Sequence, residues 1–453
     1  MIGKAAMNKI AQRLLAAAKD GQTEVVVYCV EERLTRYANN VIHQNVAEAN
    51  TAIAVRTALG KRVGVATTND VSDGGLARAV EAARGSARLQ PEDPDFPGFP
   101  EPAAVEAVDA FDEATAAYSP TDRAHDVGVV CRRAEEASCI ASGAFCTGVQ
   151  EIAVANSHGV FAYHPSTIAD LTTVVMTGDS AGYSAGAHWQ VAQVDVPALG
   201  QEAIERALRG RNPQSIAPGV YPVVLEAHAV IDIVAFISQM AGALAVAEGR
   251  SWMAGRQGEQ LMSPLVSIRD DGRDPAGLPF PFDFEGTPRQ AVDIVRDGVV
   301  GDAVYDRRWA IKEGKQNTGH ALPAAHPASP WISGTTLGPI PMHPAMETGA
   351  QTVQEMIAAT ERGLYVTRFH YTRVVHPREA VITGMTRDGL FLIENGEITT
   401  PVKNLRFTQS YVEALRNVEM VGREACRERP FFSIVRAPAL KLSAFQFTGA
   451  TTF

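Results

Sequence analysis

The chain has 453 residues, of which 46% are hydrophobic and 20% are charged, a balance typical of globular proteins rather than disordered or collagen-like chains. Its 41 Lys and Arg residues against 51 Asp and Glu residues give a net charge of −10 at pH 7. Nonspecific binding to nucleic acids depends on clustered Lys and Arg side chains. The sequence contains no such cluster, so we expect no direct contact with nucleic acid.

Three features predict a cytoplasmic protein. The five cysteines are an odd number and show neither a zinc-ligand spacing nor a CxxC motif, which favours free thiols in a reducing compartment. Charged side chains interrupt residues 1–20, so this segment is not typical of a signal peptide. The most apolar stretch, residues 220–247, contains Glu226, His228 and Asp232, so we expect a buried helix and no membrane span.

Helices and strands alternate in the first part of the chain. Ile10, Leu14 and Ala17 lie on one helical face and predict a helix in the opening segment, and β-branched or alternating residues predict strands at 24–30, 34–46, 51–59 and 63–67. A helix over 75–87 is expected to have Asp73 as its N-cap. The proline-rich segment 91–102 can hold neither a helix nor a central strand and is predicted to be a surface connector.

A second α/β region follows the connector. It comprises a helix over 120–137 capped by Thr121 or Asp122, strands with glycine-containing turns over 148–194, and a helix over 198–209. No repeat of fixed period is visible. The predicted fold is α+β, with an N-terminal α/β domain (1–102), a middle α/β segment (103–215) and a β-rich C-terminal domain (216–453) that contains a buried central helix.

Two overlapping GxSxG strings lie within residues 178–186, centred on Ser180 and Ser184, with His188 close behind. A nucleophile elbow requires a strand, a sharp turn and then a helix. Residues 188–196 alternate like a strand instead, and a Gly/Ser-rich hairpin produces the same strings without any chemistry. The hairpin is the favoured interpretation, and Ser180 and Ser184 are the weaker catalytic candidates.

A second candidate site consists of Glu226, His228 and Asp232. On a helix, His228 and Asp232 lie one turn apart on one face, and Glu226 lies on another side. Helical zinc proteases use two histidines and a glutamate that activates water, and a single histidine is present here. A histidine paired with the neighbouring Asp232 is therefore the favoured interpretation. Cys426 lies between two arginines whose charges would lower its pKa, although a structural thiol is favoured there too.

Several short strings, in their order and spacing, resemble the TldD/PmbA (TldE) family, whose members are described as modulators of DNA gyrase and as metalloproteases. The first half of the chain contributes RYANNVIH at 36–43 and GKRVGVATTND at 60–70. The second half contributes EGRSWMAGRQGEQLMSPLVSIRDDG at 248–272, DFEG at 283–286, DGVVGDAVYDRRWAIKEGKQNTGHA at 297–321 and IENGEI at 393–398.

This resemblance implies a two-lobed protein that dimerises around an internal cavity. In the family, the active subunit TldD carries HExxxH on a helix, with a cysteine near the C-terminus as a further zinc ligand. TldD pairs with TldE/PmbA, a paralogue without that motif. The pair degrades unfolded or short peptides and matures some peptide natural products.

The chain departs from the active pattern at the metal helix. In the matching segment, the first histidine of the motif becomes Glu226, the glutamate becomes Ala227 and the second histidine becomes Ile231. Cys426 falls close to the place of the metal cysteine without matching it, so His228 and Cys426 are weak metal candidates. The resemblance therefore implies the TldE/PmbA side of the family, with no cofactor in this chain and zinc in a TldD-type partner.

Three hypotheses follow. The first is a non-catalytic subunit that binds peptide substrate and forms a heterodimer with a TldD-like paralogue, or a homodimer. The second is an independent hydrolase with an atypical metal or serine site, and the third is a non-enzymatic protein that binds a peptide or another partner. Residues 334–346 are too apolar for a solvated loop, which makes Leu337, Ile340 and Met342 candidates for a dimer interface, or else for packing on their own subunit.

Overall fold

The computed structural model describes residues 1–325, 333–430 and 434–451 and arranges them in two lobes. Both the α+β class and the two-lobed organisation predicted from the sequence are confirmed. The helices and strands of the N-terminal lobe are α1 (Lys4–Ala17), β1 (Gln22–Ala38), β2 (Val41–Leu59), β3 (Arg62–Thr68), α2 (Asp73–Leu89), α3 (Glu113–Ala117), α4 (Pro120–Glu136), β4 (Ile140–Asn156), β5 (Phe161–Met176), β6 (Ala181–His188) and α5 (Val196–Arg209).

The strands of the N-terminal lobe form one antiparallel sheet in the order β3-β2-β1-β4-β5-β6. The helices cover one face of it, where for example Val27 of β1 packs with Leu14 of α1. The opposite face packs against three phenylalanines of the C-terminal lobe, Phe280, Phe282 and Phe284. Both faces of the sheet are thus partly buried, as the β-branched strand sequences require.

The N-terminal lobe consists of two copies of one α-β-β-β-α unit. Adding 118 to Gln22 and Ala38, the ends of β1, gives Ile140 and Asn156, the ends of β4. These two strands pair antiparallel at the centre of the sheet, so an approximate two-fold axis relates the units. The absence of a repeat, predicted from the sequence, is therefore wrong for the structure.

Two equivalent glycines show that the units share a packing constraint. A Cβ atom on Gly64 of β3 would lie 2.2 Å from the carbonyl oxygen of Ala83 on α2. A Cβ atom on Gly182 of β6 would lie 2.1 Å from the carbonyl oxygen of Ala203 on α5. Each unit therefore needs glycine where its third strand meets its last helix.

The C-terminal lobe is richer in strands. Its elements are β7 (Val220–Leu225), α6 (Ala227–Gln239), α7 (Ala243–Ala247), β8 (Ile268–Asp270), β9 (Val292–Arg296), β10 (Val299–Val300), α8 (Arg307–Glu313), α9 (Gly334–Leu337), β11 (Pro344–Met346), α10 (Val353–Ala358), β12 (Arg362–His376), β13 (Val381–Glu394), β14 (Glu397–Pro401), β15 (Leu405–Ser410), α11 (Tyr411–Arg416), β16 (Val418–Glu428) and β17 (Val435–Ala450).

These strands form one sheet in the order β10-β9-β8-β11-β17-β15-β13-β12-β7, with β14 beside β13 and β16 beside β17. Because β7 pairs with both β12 and β17, the strands β7, β12, β13, β15 and β17 close into a ring. The helix α6 packs on β12 and β17 with Val230, Ile233 and Ile237 fully buried. It is the buried central helix expected from the sequence.

The apolar stretch 220–247 is divided between a strand and two helices, so its prediction as a single helix is wrong. Its first six residues form β7, and α6 begins after Glu226. A strand buried on both faces is a continuous apolar run, which periodicity alone cannot distinguish from a buried helix. Across the described ranges, no helix combines the length and the apolar character that crossing a bilayer requires.

Two helix caps also differ from the prediction. Ser72, not Asp73, caps α2, because its hydroxyl accepts a hydrogen bond from the Gly75 N–H at 3.1 Å. Ser119 caps α4 in a capping box with Asp122, one residue before the predicted helix start. In both cases the serine is the residue with extended backbone, which an N-cap requires.

Candidate functional site

The candidate residues Glu226 and His228 lie where β7 ends and α6 begins, directly beneath the N-terminal lobe. Glu226 has an extended backbone, and its N–H donates to the carbonyl oxygen of Val366 on β12 at 2.9 Å. Both side chains line one cavity of about 360 Å³ between α5 and the C-terminal sheet. The structure thus brings together two residues that helical geometry had predicted to lie on different sides.

Asp232 belongs to a different environment. Its carboxylate accepts hydrogen bonds from Thr372 Oγ1 at 2.7 Å and from Tyr411 Oη at 2.6 Å. Burial raises the pKa of Asp232 to about 6, although both hydroxyl groups oppose the shift. Asp232 therefore stabilises the interior of the lobe, and the predicted pair between His228 and Asp232 is wrong.

An arginine of the N-terminal lobe forms an ion pair with the carboxylate of Glu226. Arg206 on α5 forms an ion pair with Glu226 and donates to Glu202 Oε1 at 2.7 Å. It also donates to the carbonyl oxygen of Tyr183 at 2.5 Å. Burial raises the pKa of Glu226, and the positive charge of Arg206 opposes that rise. This arginine holds two carboxylates of the cavity wall in place.

His228 is held by a glutamate from β16. Its Nδ1 hydrogen bonds to Glu428, which also accepts a hydrogen bond from Tyr183 Oη at 3.0 Å. Burial would raise the pKa of Glu428, but the contacts with His228, the hydrogen bond from Tyr183 and the positive charge of Arg368 together lower it. Glu428 is therefore an ionised acceptor that fixes the imidazole ring.

Tyr183 connects this cluster to a second ion pair. Its ring lies edge-on to the ring of His228 at a centroid distance of 5.4 Å, and the Arg368 guanidinium stacks on it at 3.8 Å. Arg368 Nε donates in turn to Asp388 at 2.7 Å. The result is a continuous chain of contacts from His228 on α6 to Asp388 on β13.

Cys426 lines the same cavity as Glu226 and His228. Burial, followed by the nearby carboxylates of Glu202 and Glu226, raises its pKa to about 12. The expected lowering by flanking arginines is therefore wrong. In this environment the side chain is therefore a thiol at neutral pH and a weak nucleophile.

The residues of this cavity do not fit a catalytic zinc ion. In the part of the chain that the structure describes, no three His, Cys, Asp or Glu side chains are placed to hold a metal together. The carboxylate of Glu226 is bonded to Arg206, and Nδ1 of His228 is bonded to Glu428. Catalytic zinc sites offer three converging protein ligands, which these contacts prevent.

The GxSxG strings form a β-hairpin, as favoured from the sequence. β5 and β6 pair antiparallel from Met176↔Ala181 onwards, so neither serine lies in a sharp turn between a strand and a helix. The strand expected at 188–196 is wrong, because β6 ends at His188, residues 191–193 form a 3-10 helix and α5 begins at Val196. The Ser180 hydroxyl donates to the carbonyl oxygen of Ala207 at 2.6 Å, and the Ser184 hydroxyl is buried and donates to Glu202 at 2.5 Å. Both hydroxyl groups therefore serve packing between β6 and α5.

The predicted interface segment is mostly packed on its own lobe. Met342 lies against the phenylalanines that face the N-terminal sheet, and Met346 is 1% exposed. Ile340 is half-buried, whereas Leu337 exposes 42% of its surface. Of the three interface candidates, Leu337 presents the most apolar surface to solvent.

Three residues of the site, Arg206, Tyr183 and Glu428, could not be recognised as site residues from any pattern in the sequence. Arg206 appears there as one of several polar residues of an amphipathic helix, and Tyr183 as part of a turn. Glu428 is 200 positions away from His228. Pairing between β16 and β17 places Glu428 opposite Val435, and only this tertiary contact brings it to α6.

Comparison with known proteins places the whole chain in one family. Three domain models described for PmbA/TldA metallopeptidases match it in succession: domain 1 at residues 23–87, the central domain at 94–211 and the C-terminal domain at 218–449. The crystal structure of TldE from Thermococcus kodakarensis superposes with a TM-score of 0.87, covering 98% of this chain and all of that one at 20% identity. A protein from Thermotoga maritima, described as a modulator of a DNA gyrase, superposes with a TM-score of 0.85 at 19% identity and covers 98% of this chain and all of that one.

Curated relatives agree with this assignment. A metalloprotease TldD homologue of Haemophilus influenzae is 23% identical over 405 residues, which are 85% of this chain and 82% of the relative. The metalloprotease PmbA of Escherichia coli O157:H7 is 25% identical over 386 residues, or 80% of this chain and 79% of the relative. The fold, the three consecutive domain matches and these relatives together show that the chain belongs to the PmbA/TldD metallopeptidase family.

Proposed function

We propose that this chain is a TldE/PmbA-type subunit of a TldD-type zinc peptidase and contributes no metal ligand itself. The ion pair between Arg206 and Glu226 supports the proposal most directly. Glu226 stands where the resemblance places the first histidine of HExxxH, and a guanidinium group is bonded to it. A fixed cation at that position opposes the binding of a second cation such as Zn²⁺.

In this proposal the chain supplies one wall of a peptide-binding chamber. The cavity at the start of α6 is lined by the aromatic side chains of Tyr365 and Phe391 and by charged side chains, namely Glu202, Glu205, Glu226, Glu424, Arg206 and Arg209. Binding sites of this kind use apolar walls for affinity and a few polar groups for orientation. Four carboxylates against two guanidinium groups leave the lining with a net negative charge, so an extended peptide with apolar and cationic side chains fits it.

The partner in the proposal is a TldD-like paralogue, or a second copy of the chain where no such paralogue is present. The complex is proposed to act in the cytoplasm on unfolded or short peptides. All five cysteines are free, which agrees with a reducing compartment. The independent-hydrolase hypothesis has less support, because Glu226, His228 and both serine hydroxyl groups are engaged in other contacts.

The test compares the chain alone with the chain co-expressed with a TldD-type subunit that has an intact HExxxH motif. We expect neither stoichiometric zinc nor peptidase activity for the chain alone, and both for the complex. His228→Ala in this chain should leave the zinc content of the complex unchanged, whereas replacing a motif histidine of the partner should abolish it. A chain that alone holds about one zinc ion, lost in His228→Ala, would establish an independent hydrolase instead.

A further inference from the structure

A second cavity lies between the two lobes and shares no lining residue with the cavity at the start of α6. One of its walls is the face of the N-terminal sheet opposite the helices, and the other is formed by the C-terminal lobe, mainly by residues 278–284. Its volume is about 90 Å³, which is room for one apolar side chain and not for a longer segment of chain.

The wall from the N-terminal lobe is mostly polar. Between β4 and β5, Gln150 pairs with Ser166 and Ile152 pairs with His164. Directly opposite residues share one face of a sheet, as do residues two apart along a strand, so all four side chains line the cavity together. The sheet thus presents an amide, a hydroxyl and an imidazole group to this space, with a single apolar side chain among them.

The wall from the C-terminal lobe is apolar. Its side chains are those of Leu278, Phe280, Phe284, Leu322 and Met342. The guanidinium group of the buried Arg289 lies 5.5 Å from the ring centroid of Phe280 and donates to Met342 Sδ at 3.3 Å, which holds both residues in place. An apolar wall that faces a polar one suits a ligand with an apolar body and one polar group.

Of the described residues that line the cavity, Arg429 alone is charged at pH 7. Burial lowers the pKa of His164 to about 4 and that of His343 to about 3, so both rings are neutral. Among the described residues, the half-buried side chain of Arg429 has no hydrogen-bond or ion-pair partner. A guanidinium group with open donors is suited to a carboxylate, which it binds through two parallel hydrogen bonds.

The two histidines leave ring nitrogens for a ligand. His164 Nε2 donates to the carbonyl oxygen of Pro279 at 2.8 Å, so Nδ1 of the neutral ring is an acceptor for an N–H group. His343 Nδ1 is buried and has no hydrogen-bond partner in the described part of the chain, because the carboxylate of Asp270 remains 4.0 Å away. A buried polar atom without a partner is costly, and a ligand that engages the ring would offset that cost.

We propose that this cavity binds an apolar group that carries a carboxylate, with the carboxylate paired to Arg429 and the apolar group packed against Phe280 and Met342. The C-terminal residue of a peptide and a free branched carboxylic acid share this chemistry. The acceptor nitrogen of His164 matches the amide N–H that only the peptide residue offers. The site needs neither zinc nor a partner subunit, so its failure in a test on the chain alone would leave the proposed subunit role untouched.

The experiment is isothermal titration calorimetry on the full chain alone. The probe is N-acetyl-L-leucine, which has the side chain, carboxylate and amide N–H of a C-terminal residue. We expect saturable binding at one site per chain, and binding weaker by about tenfold or more for N-acetyl-L-leucinamide, which lacks the carboxylate, and for N-acetylglycine, which lacks the apolar side chain. Isocaproate lacks only the acetamido group. Tighter binding of N-acetyl-L-leucine than of isocaproate identifies a peptide end as the ligand, and the reverse order identifies a free acid.

Two variants and a matched control locate the site. Arg429→Gln should weaken binding of N-acetyl-L-leucine by about tenfold or more, whereas Arg423→Gln at an exposed position of β16 should not. Ser166→Leu fills the cavity from the sheet side and should abolish binding while far-UV circular dichroism stays unchanged. The proposal would be overturned by a wild-type chain that binds neither acid, by equal affinity for the amide, or by undiminished binding in either folded variant.

Discussion

Arg206 of the N-terminal lobe and Glu226 of the C-terminal lobe form an ion pair in which the two side chains expose only 12% and 10% of their surface. The same guanidinium group donates to Glu202 and to the carbonyl oxygen of Tyr183. This one guanidinium group therefore links α5 to the N-cap residue of α6. The contacts of Arg206 link the stability of the lobe junction to the proposed peptide-binding cavity.

Removal of this arginine should destabilise the protein strongly. Arg206→Met leaves Glu226 buried without its counter-ion, and losing one partner of a buried pair costs about 3 kcal/mol or more. Urea unfolding should show this loss, whereas Arg209→Met on the exposed side of the same helix should change stability by less than about 0.5 kcal/mol. Arg206→Met/Glu226→Leu should recover most of the loss. A single variant as stable as the wild type would show that the pair is not buried in solution.

Asp232 should make stability fall as pH rises from about 4 to about 6. The pKa of the carboxyl rises from 3.8 to about 6 on folding because of burial, so in this range the folded chain binds more protons than the unfolded chain. The fall amounts to about 3 kcal/mol for such a shift. Asp232→Asn should flatten the pH profile of denaturant unfolding in this window, and Asp302→Asn at an exposed site should not. An unaltered slope in Asp232→Asn would contradict the raised pKa.

Cys426 should resist alkylation in the folded protein. With a pKa of about 12, a fraction of about one thiol in ten thousand is ionised at pH 8, and the thiolate is the reactive form. Mass spectrometry after iodoacetamide treatment should find Cys426 unmodified under native conditions and fully modified in denaturant. Rapid native labelling with a midpoint near neutral pH would instead indicate an activated cysteine.

Neither serine of the GxSxG strings should act as a nucleophile. The hydroxyl groups of Ser180 and Ser184 donate to Ala207 O and to Glu202, and a hairpin provides no base or oxyanion donors around them. A fluorophosphonate probe should therefore leave the chain unlabelled while it labels a known serine hydrolase in the same tube. Labelling that disappears in Ser184→Ala or Ser180→Ala would identify a serine enzyme.

Local patterns in the sequence were sufficient to predict the α+β fold class and the hairpin at residues 178–186. The hairpin was predicted from its Gly- and Ser-rich turn, whereas the alternation read over 188–196 was misleading, because β6 ends at His188 and α5 begins at Val196. The family resemblance supplied the two-lobed architecture. The substitution of the metal motif at Glu226, Ala227 and Ile231 can likewise be recognised in the sequence alone.

The partners of the site residues depend on tertiary contacts that no local pattern encodes. Helical spacing favoured Asp232 as the partner of His228, but Glu428 is the partner in the structure, because β16 pairs with β17 of the closed ring and lies beside α6. The strand β7 was taken for helix because a doubly buried strand lacks alternation. The repeat was missed in the sequence because two units can share the same backbone fold with few identical residues. Gly64 and Gly182 are one such pair of identical residues at equivalent positions.

The central pairing of β1 with β4 makes the two units of the N-terminal lobe one cooperative folding unit. The pairing runs from Glu24↔Asn156 to Tyr37↔Gly143 and belongs to neither unit alone. A fragment that ended in the connector 91–102 would leave a fully exposed strand edge, which promotes aggregation. A protease nick in that connector, by contrast, would leave the two pieces held together by the intact ladder. Boundaries drawn between the first and second family domains therefore do not mark places where the chain can be divided.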